Sequence, residues 1–450
     1  MTDLLVIAGT HSGVGKTSVA LGLCRALARR GLHVQPAKVG PDYLDPVHLG
    51  EAAGRPCWNL DPWMMGKAYV RSLVASCQAD LLLAEGVMGL YDGADATADA
   101  GSTAELARLL DAPVWLVVDA GGVARSFAAT VHGFCSFPGH PRITGVIANR
   151  CGGERHVQML REALDSVGLP PLVGAIPGGA LPTLASRHLG LVAAAGGEAI
   201  EAVADAVERH VTLPERGAPL RHEAPPVTAP RQSTPPPTKR QVTLGVAWDA
   251  AFSFVYADHW TALAQAGITV RRFSPVSEAE LPEVDGLYFP GGYPELHAAD
   301  LSRNQAMRAA VAAFAASGRP VYAECGGLMY LAKSIELCDG TTLPMAGVLP
   351  ARSRMRQGRF SLGYAEIELV RATCLGARGD RLRGHEFHYS ELVESPAGWE
   401  PSYAVSYRRG ATKLEGWQRG NVLVSYFHLH LASRARTLAA LRAALEANKC

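Results

Sequence analysis

The chain carries almost no surplus of charge: 43 Lys and Arg stand against 42 Asp and Glu, a net charge of +1. That balance gives no electrostatic case for a nucleic acid or an anionic membrane as partner. Long apolar runs are missing too, so no segment is expected to span a bilayer. The N-terminus has no basic stretch, and Leu4–Gly9 is too short for the apolar region of a secretory signal. The nine cysteines are scattered without a C-x-x-C pair, so neither a zinc site nor a disulfide framework is indicated. An odd set of unpaired thiols suits a reducing cytoplasm. What remains is a soluble globular chain of 450 residues, 48% apolar and 19% charged, long enough for two domains or more, each with its own core.

What is there begins with Ala8-Gly9-Thr10-His11-Ser12-Gly13-Val14-Gly15-Lys16-Thr17-Ser18. An apolar run, Leu4-Leu5-Val6-Ile7, feeds this Gly-rich turn, and an amphipathic helix through Leu21, Leu23 and Leu27 leaves it. Strand, loop and helix in that order are the context a P-loop needs. The backbone N–H groups of Gly13, Val14, Gly15, Lys16, Thr17 and Ser18 converge on one point at a helix N-terminus, a cradle for phosphate. Lys16 is expected to reach the outer phosphates of ATP and the Thr17 hydroxyl to sit on Mg²⁺. Thr10 stands where the motif's first Gly is usual.

Two acidic stretches follow at strand ends. His33–Val39 runs into Gly40-Pro41-Asp42-Tyr43-Leu44-Asp45-Pro46, at the edge where doubly wound sheets bind ligands. Asp42 and Asp45 are therefore candidates for holding Mg²⁺ or handling substrate, against the plain alternative of two solvated turn residues. Leu81–Ala84 ends in Glu85 beside Gly86, a pattern that aims Glu85 at the metal across from Thr17, with Asp92 nearby. Further strands at Pro113–Asp119, Ile143–Asn149 and Leu172–Pro177 alternate with helices at Val123–Phe134 and near Glu154–Val167. Such alternation predicts a mostly parallel sheet covered on both faces. Ser186–Leu191 has no periodicity and reads as a loop. From Thr212 to Arg240 the chain turns Pro-rich and reads as an extended linker. It separates an ATP-binding domain, residues 1–211, from a second domain, residues 241–450.

The second domain opens a new sheet at Val242–Ala247. Asp285–Phe289 leads into Pro290-Gly291-Gly292, a turn able to offer a backbone N–H to a developing oxyanion. Pro320-Val321-Tyr322-Ala323-Glu324-Cys325-Gly326-Gly327 stops a strand at Cys325 and permits a sharp turn into a helix, a nucleophile elbow with a thiol. A helix N-terminus favours the thiolate over its unperturbed pKa of roughly 8.5. Tyr426-Phe427-His428-Leu429-His430 offers two bases on one side of a strand, one to face Cys325 and the other structural. Gly384–Ser390 holds His385 and His388, a weak metal signal without further ligands.

Together these motifs resemble the cobyrinic acid a,c-diamide synthase family over nearly the whole length. The first domain resembles the dethiobiotin synthetase group through the Gly-Thr-x-x-x-Val-Gly-Lys-Thr form at Gly9–Thr17. Asn149 resembles the adenine-contacting Asn of related P-loop ligases. The second domain resembles class I glutamine amidotransferases whose triad lacks the usual glutamate. Their His-Pro-Glu segment aligns with His428-Leu429-His430, which carries the base role to His428 and leaves His430 at the place of the missing acid. The resemblance implies an α/β fold of two doubly wound domains, a P-loop NTPase-type parallel sheet followed by a class I amidotransferase-like domain. It implies hydrolysis of glutamine through a thioester on Cys325, with the N–H groups of Gly292 and Gly326 as oxyanion hole. Ammonia then travels inside the protein to a corrinoid carboxylate phosphorylated by ATP, with Mg²⁺ on Thr17, Asp42 and Glu85 and with Leu44 and Asp45 on the substrate side.

Hydrogenobyrinic acid a,c-diamide synthases share the reaction on a metal-free corrin. Cobyric acid synthases amidate other side chains and differ after the P-loop strand and near Gly384. A partition-type nucleotide switch is the other class to weigh; His11 replaces that group's extra lysine, which argues against it. The sequence leaves open whether the chain works alone or as a homodimer.

Overall fold

The computed structural model describes residues 2–182, 186–187, 190–191, 197–214, 241–358, 361–407 and 412–447. Two compact units divide the chain, residues 1–230 and 231–450. The Pro-rich stretch lies outside the described residues from 215 to 240.

The first unit is built on seven parallel strands: β1 (Asp3–Gly9), β2 (Val34–Val39), β3 (Trp58–Leu60), β4 (Leu81–Glu85), β5 (Val114–Asp119), β6 (Ile143–Cys151) and β7 (Leu172–Pro177). Their order is β3-β2-β4-β1-β5-β6-β7, with every pairing parallel. Six of these strands are legible in the sequence. The edge strand β3 is not, because three residues are too few to show a period. In β1 the side chains of Leu4, Val6 and Ala8 enter one core and those of Leu5 and Ile7 the other. A strand buried on both faces reads as a continuous apolar run, which is how Leu4–Ile7 reads. β1 is central, flanked by β4 and β5, so the P-loop at its end is held by both neighbours: Thr10 N–H donates to Val117 O, and Gly86 N–H to Ile7 O. Ser186–Arg187, expected as loop, pairs antiparallel with Gly190–Leu191.

The second unit has a ten-stranded mixed sheet rather than a purely parallel one. Its parallel part runs, in spatial order, Ile268–Phe273, Val242–Ala247, Gly286–Phe289, Val321–Glu324 and Val422–Ser425. An antiparallel part continues through Lys413–Arg419, Glu400–Tyr407, Ser361–Leu369, Arg381–His388 and Phe427–Leu429. Tyr426 alone separates Val422–Ser425 from Phe427–Leu429, so the antiparallel part must curl until its two ends meet. That closure returns His428 to the neighbourhood of the strand that carries Cys325. A smaller sheet orders Thr342–Pro344, Ala332–Glu336, Leu349–Met355 and Ser390–Leu392.

Candidate functional site

In the first unit the helix Lys16–Arg29 starts directly at the P-loop, with Gly15 before it at φ 104°. An L-residue there would be strained, and its Cβ would stand 2.5 Å from Asn149 Nδ2. Asn149 Nδ2 donates to Val14 O at 2.8 Å, and its Oδ1 accepts from Arg150 N–H at 2.9 Å. Asn149 thus braces the P-loop backbone itself. Arg150, which the sequence reading passed over, adds a second clasp: its guanidinium donates to Gly13 O at 2.9 Å and pairs with Asp119 at 2.5 Å. Arg150 is held at φ 58°, a costly conformation for a non-glycine.

Thr17 and Glu85 meet as expected: the Thr17 hydroxyl donates to Glu85 Oε1 at 2.5 Å. Glu85 is fully buried, and among the described residues its Oε2 has no hydrogen-bond partner. Lys38, another residue given no role from sequence, sits between carboxylates: its Nζ lies 2.9 Å from Glu85 Oε1 and 2.6 Å from Asp45 Oδ2. Burial works against the Lys38 charge, but Glu85 and Asp45 outweigh it and hold its pKa above the ordinary lysine range. Burial likewise opposes the Asp45 anion, and Lys38 overcomes it, so Asp45 titrates below the usual carboxylate range. Asp42 is spent differently. Its carboxylate accepts from the N–H groups of Leu44 and Asp45 at 3.0 and 3.3 Å, at the start of the helix Asp45–Ala53. Burial and the neighbouring Asp45 push Asp42 up to about 7. Leu44 precedes that helix as its cap residue. Lys16 donates to His11 O at 3.2 Å, and burial lowers its pKa. The buried, unpartnered Glu85 Oε2 beside a Thr hydroxyl is an oxygen set that fits a hard divalent cation.

In the second unit Cys325 stands at φ 47°, ψ −105° between the strand Val321–Glu324 and the helix Gly326–Leu331. A Cβ on Gly327 would lie 2.2 Å from Phe289 O, so the strained turn needs glycine beside it. Gly292 and Gly326 come together, since a Cβ on Gly326 would stand 3.0 Å from Gly292 N. The Cys325 Sγ contacts Phe387 O at 3.6 Å, and its N–H donates to Ser425 O at 2.7 Å. The field at this thiol departs from the expectation. Burial, then Glu295, push its pKa up, and the hydrogen bond from Gly326 N–H only partly offsets them. A six-residue helix offers little dipole against complete burial, so the resting group is a thiol.

His428 lies on Phe427–Leu429, opposite His385 on the adjacent strand. Their rings stack at 4.9 Å. Burial, followed by His385 and His388, holds His428 below the ordinary histidine range. Behind it stands Glu324, whose Oε2 is 3.8 Å from His428 Nδ1. His430 faces other partners: its Nε2 is 3.2 Å from Asp258, and its Nδ1 accepts from Ser433 N–H. Asp258, His259 and His430 form a compact buried cluster. Both imidazoles already spend a ring lone pair, His259 Nε2 accepting from Leu431 N–H at 3.1 Å and His430 Nδ1 from Ser433 N–H at 3.2 Å, which leaves the cluster poorly suited to a metal. The other histidine pair does not converge either. His385 turns to His428, whereas His388 turns to Glu386 and Tyr426.

A P-loop on a parallel sheet joined to a cysteine–histidine elbow on a second α/β sheet defines a nucleotide-binding domain fused to a glutamine amidotransferase domain. Residues 5–191 match the CobQ/CobB/MinD/ParA nucleotide binding domain, and residues 243–436 the CobB/CobQ-like glutamine amidotransferase domain. The chain is 52% identical to a cobyrinate a,c-diamide synthase of Syntrophotalea carbinolica over 96% of each chain. It is 43% identical to hydrogenobyrinate a,c-diamide synthases of Streptomyces coelicolor (95% of this chain, 94% of that one) and Rhodobacter capsulatus (94% and 98%). The chain belongs to the a,c-diamide synthase family, glutamine-dependent amide ligases of cobalamin biosynthesis. No helix among the described residues is long and apolar enough to cross a membrane.

Proposed function

We propose that this enzyme amidates the a and c carboxylates of cobyrinic acid, using ATP and L-glutamine. The observation that carries the reading is the 52% identity to a cobyrinate a,c-diamide synthase along 96% of both chains. Residues 1–211 form the ATP-dependent synthetase domain, 212–240 the linker and 241–450 the amidotransferase domain. In the last of these, Cys325 attacks the glutamine carboxamide, with His428 as base and the N–H groups of Gly292 and Gly326 receiving the oxyanion. The approach of Gly292 to Gly326 supports that pair. Hydrolysis of the thioester returns glutamate, and the ammonia released is the nitrogen donor.

In the first domain Gly13–Ser18 cradle the phosphates, Lys16 reaches the outer ones and Asn149 lines the nucleotide side. Thr17 and Glu85 would hold Mg²⁺, joined by Asp42 once its carboxylate turns from the Leu44 and Asp45 N–H groups; Glu85 Oε2, buried and without a hydrogen-bond partner among the described residues, supports this. When bound, such a cation neutralises charge on the transferring phosphoryl group. Asp45 and Leu44 serve the substrate side, Asp45 acting through its ion pair with Lys38. A carboxylate is a poor electrophile at neutral pH, and phosphorylation turns its oxygen into a leaving group that ammonia can displace.

The 43% relatives named for hydrogenobyrinate favour a second reading, the metal-free corrin. Mass spectrometry of products from cobyrinic and hydrogenobyrinic acid, each with ATP and glutamine, separates the two. Diamide from the cobalt substrate at the higher kcat/KM is expected; diamide from hydrogenobyrinic acid alone overturns the substrate assignment.

A further inference from the structure

We infer that Glu324, the residue immediately before the nucleophile, is the positioning carboxylate of the amidotransferase site, orienting His428 and stabilising its protonated form. This rests on the reading of Cys325 and His428 given above. Glu324 ends the strand Val321–Glu324 and is fully buried. Its Oε2 accepts from the Tyr288 hydroxyl at 2.9 Å and lies 3.8 Å from His428 Nδ1. Its Oε1 accepts from the Tyr322 hydroxyl at 2.5 Å and from Leu429 N–H at 3.0 Å. One carboxylate therefore clamps the backbone next to His428 and faces the ring.

A buried carboxylate surrounded by neutral donors is a costly way to hold a strand. Among the described residues, the one basic side chain within 4.0 Å of its oxygens is His428, an ion-pair partner once that ring is protonated. Fixing Nδ1 toward Glu324 leaves Nε2 for the thiol, the tautomer that a base on Cys325 needs. When Nε2 takes the Sγ proton, the S–H bond breaks and an imidazolium forms beside the carboxylate. The sulfur then adds to the glutamine carbonyl carbon, and the same proton leaves with the ammonia. His430, at the aligned place of the missing acid, is engaged by Asp258 and Ser433 instead.

The titratable groups facing this assembly are Tyr288, Tyr322 and Tyr403 around the carboxylate, His385 and His388 around the imidazole, and Glu295 and Glu386 around the thiol. Both Tyr288 and Tyr322 stabilise the Glu324 anion, against the burial that raises it.

Glu324→Gln keeps the clamp on Leu429 and removes the charge. In the full-length enzyme, glutaminase kcat should fall about 10²-fold, with KM for glutamine and ammonia-dependent amidation unchanged. Alkylation of Cys325 by iodoacetamide, followed by mass spectrometry of its peptide, should slow in parallel at neutral pH. Tyr288→Phe removes one donor from Oε2, so the acidic limb of the glutaminase pH profile should move to higher pH. That second variant decides the matter if Glu324→Gln does not fold. Glutaminase of Glu324→Gln within threefold of wild type, or an acidic limb unmoved in Tyr288→Phe, overturns the inference. A fully active His428→Asn instead overturns the Cys325–His428 reading itself.

Discussion

The two sites answer burial in opposite ways. In the P-loop domain, buried groups of opposite sign face one another: Lys38 stays charged between Glu85 and Asp45, and Asp45 stays ionised against it. In the amidotransferase domain no lysine or arginine among the described residues offsets burial at Cys325 or His428. Cys325 is driven toward the thiol, and His428 and His385 toward neutral rings. Glu324 is raised to about 7. The first site holds a buried ammonium paired with carboxylates. The second keeps its thiol and its imidazoles neutral at rest, with the carboxylate of Glu324 held behind them by hydroxyl and N–H donors. Desolvation alone does not set a site's character; whether an opposite charge is buried with it does.

The sharpest way to break this contrast is to disable each site separately. Cys325→Ser should lower glutamine-dependent synthesis by several orders of magnitude, because a hydroxyl ionises far less readily than a thiol. Amidation with concentrated ammonium salt at alkaline pH should persist. Lys16→Ala should do the converse, costing roughly 10²–10³-fold or more with either nitrogen donor, while glutaminase activity survives. Rates with glutamine and with ammonia for both variants are the measurement. Equal loss of both in Cys325→Ser would make Cys325 a folding residue.

Lys38→Met tests the charged site through stability. Removing the cation strands Glu85 and Asp45 in a buried setting, which should cost about 3–5 kcal/mol, read as a lowered denaturant midpoint. A midpoint like that of wild type would mean that the two carboxylates do not depend on Lys38.

A smaller effect is expected for Asp45→Asn, which leaves Lys38 paired with Glu85. Amidation should slow about tenfold, ~1.4 kcal/mol on the barrier, or change which carboxylate reacts first, with ATP affinity little altered. A large loss of ATP binding with unchanged regiochemistry would make Asp45 part of the cation site. His430→Asn should be milder still, lowering glutaminase severalfold, since that ring is anchored by Asp258 and Ser433 rather than turned to Glu324.

The sequence by itself determined the fold class and most of the N-terminal strands, because β1, β4 and β5 are buried on both faces and show as apolar runs. It also marked the two turns on which the proposed chemistry rests. The turns at Gly9–Thr17 and Glu324–Gly327 are local, and each is forced by what a few consecutive residues allow.

Only the tertiary structure decided who partners whom. Lys38 reads as one more strand residue until β2 pairs with β4 and brings it to Glu85. Arg150 gives no periodic signal, yet it clasps Gly13 across more than a hundred residues. A reading tied to the alignment of His428-Leu429-His430 finds no acid behind His428. The acid near it is Glu324, adjacent to Cys325 in the chain and brought to His428 only because the antiparallel strands curl back on Val321–Glu324. The physical reason is the same in each case. Backbone preference and burial are written residue by residue, whereas a charge acquires its meaning from its neighbour in space.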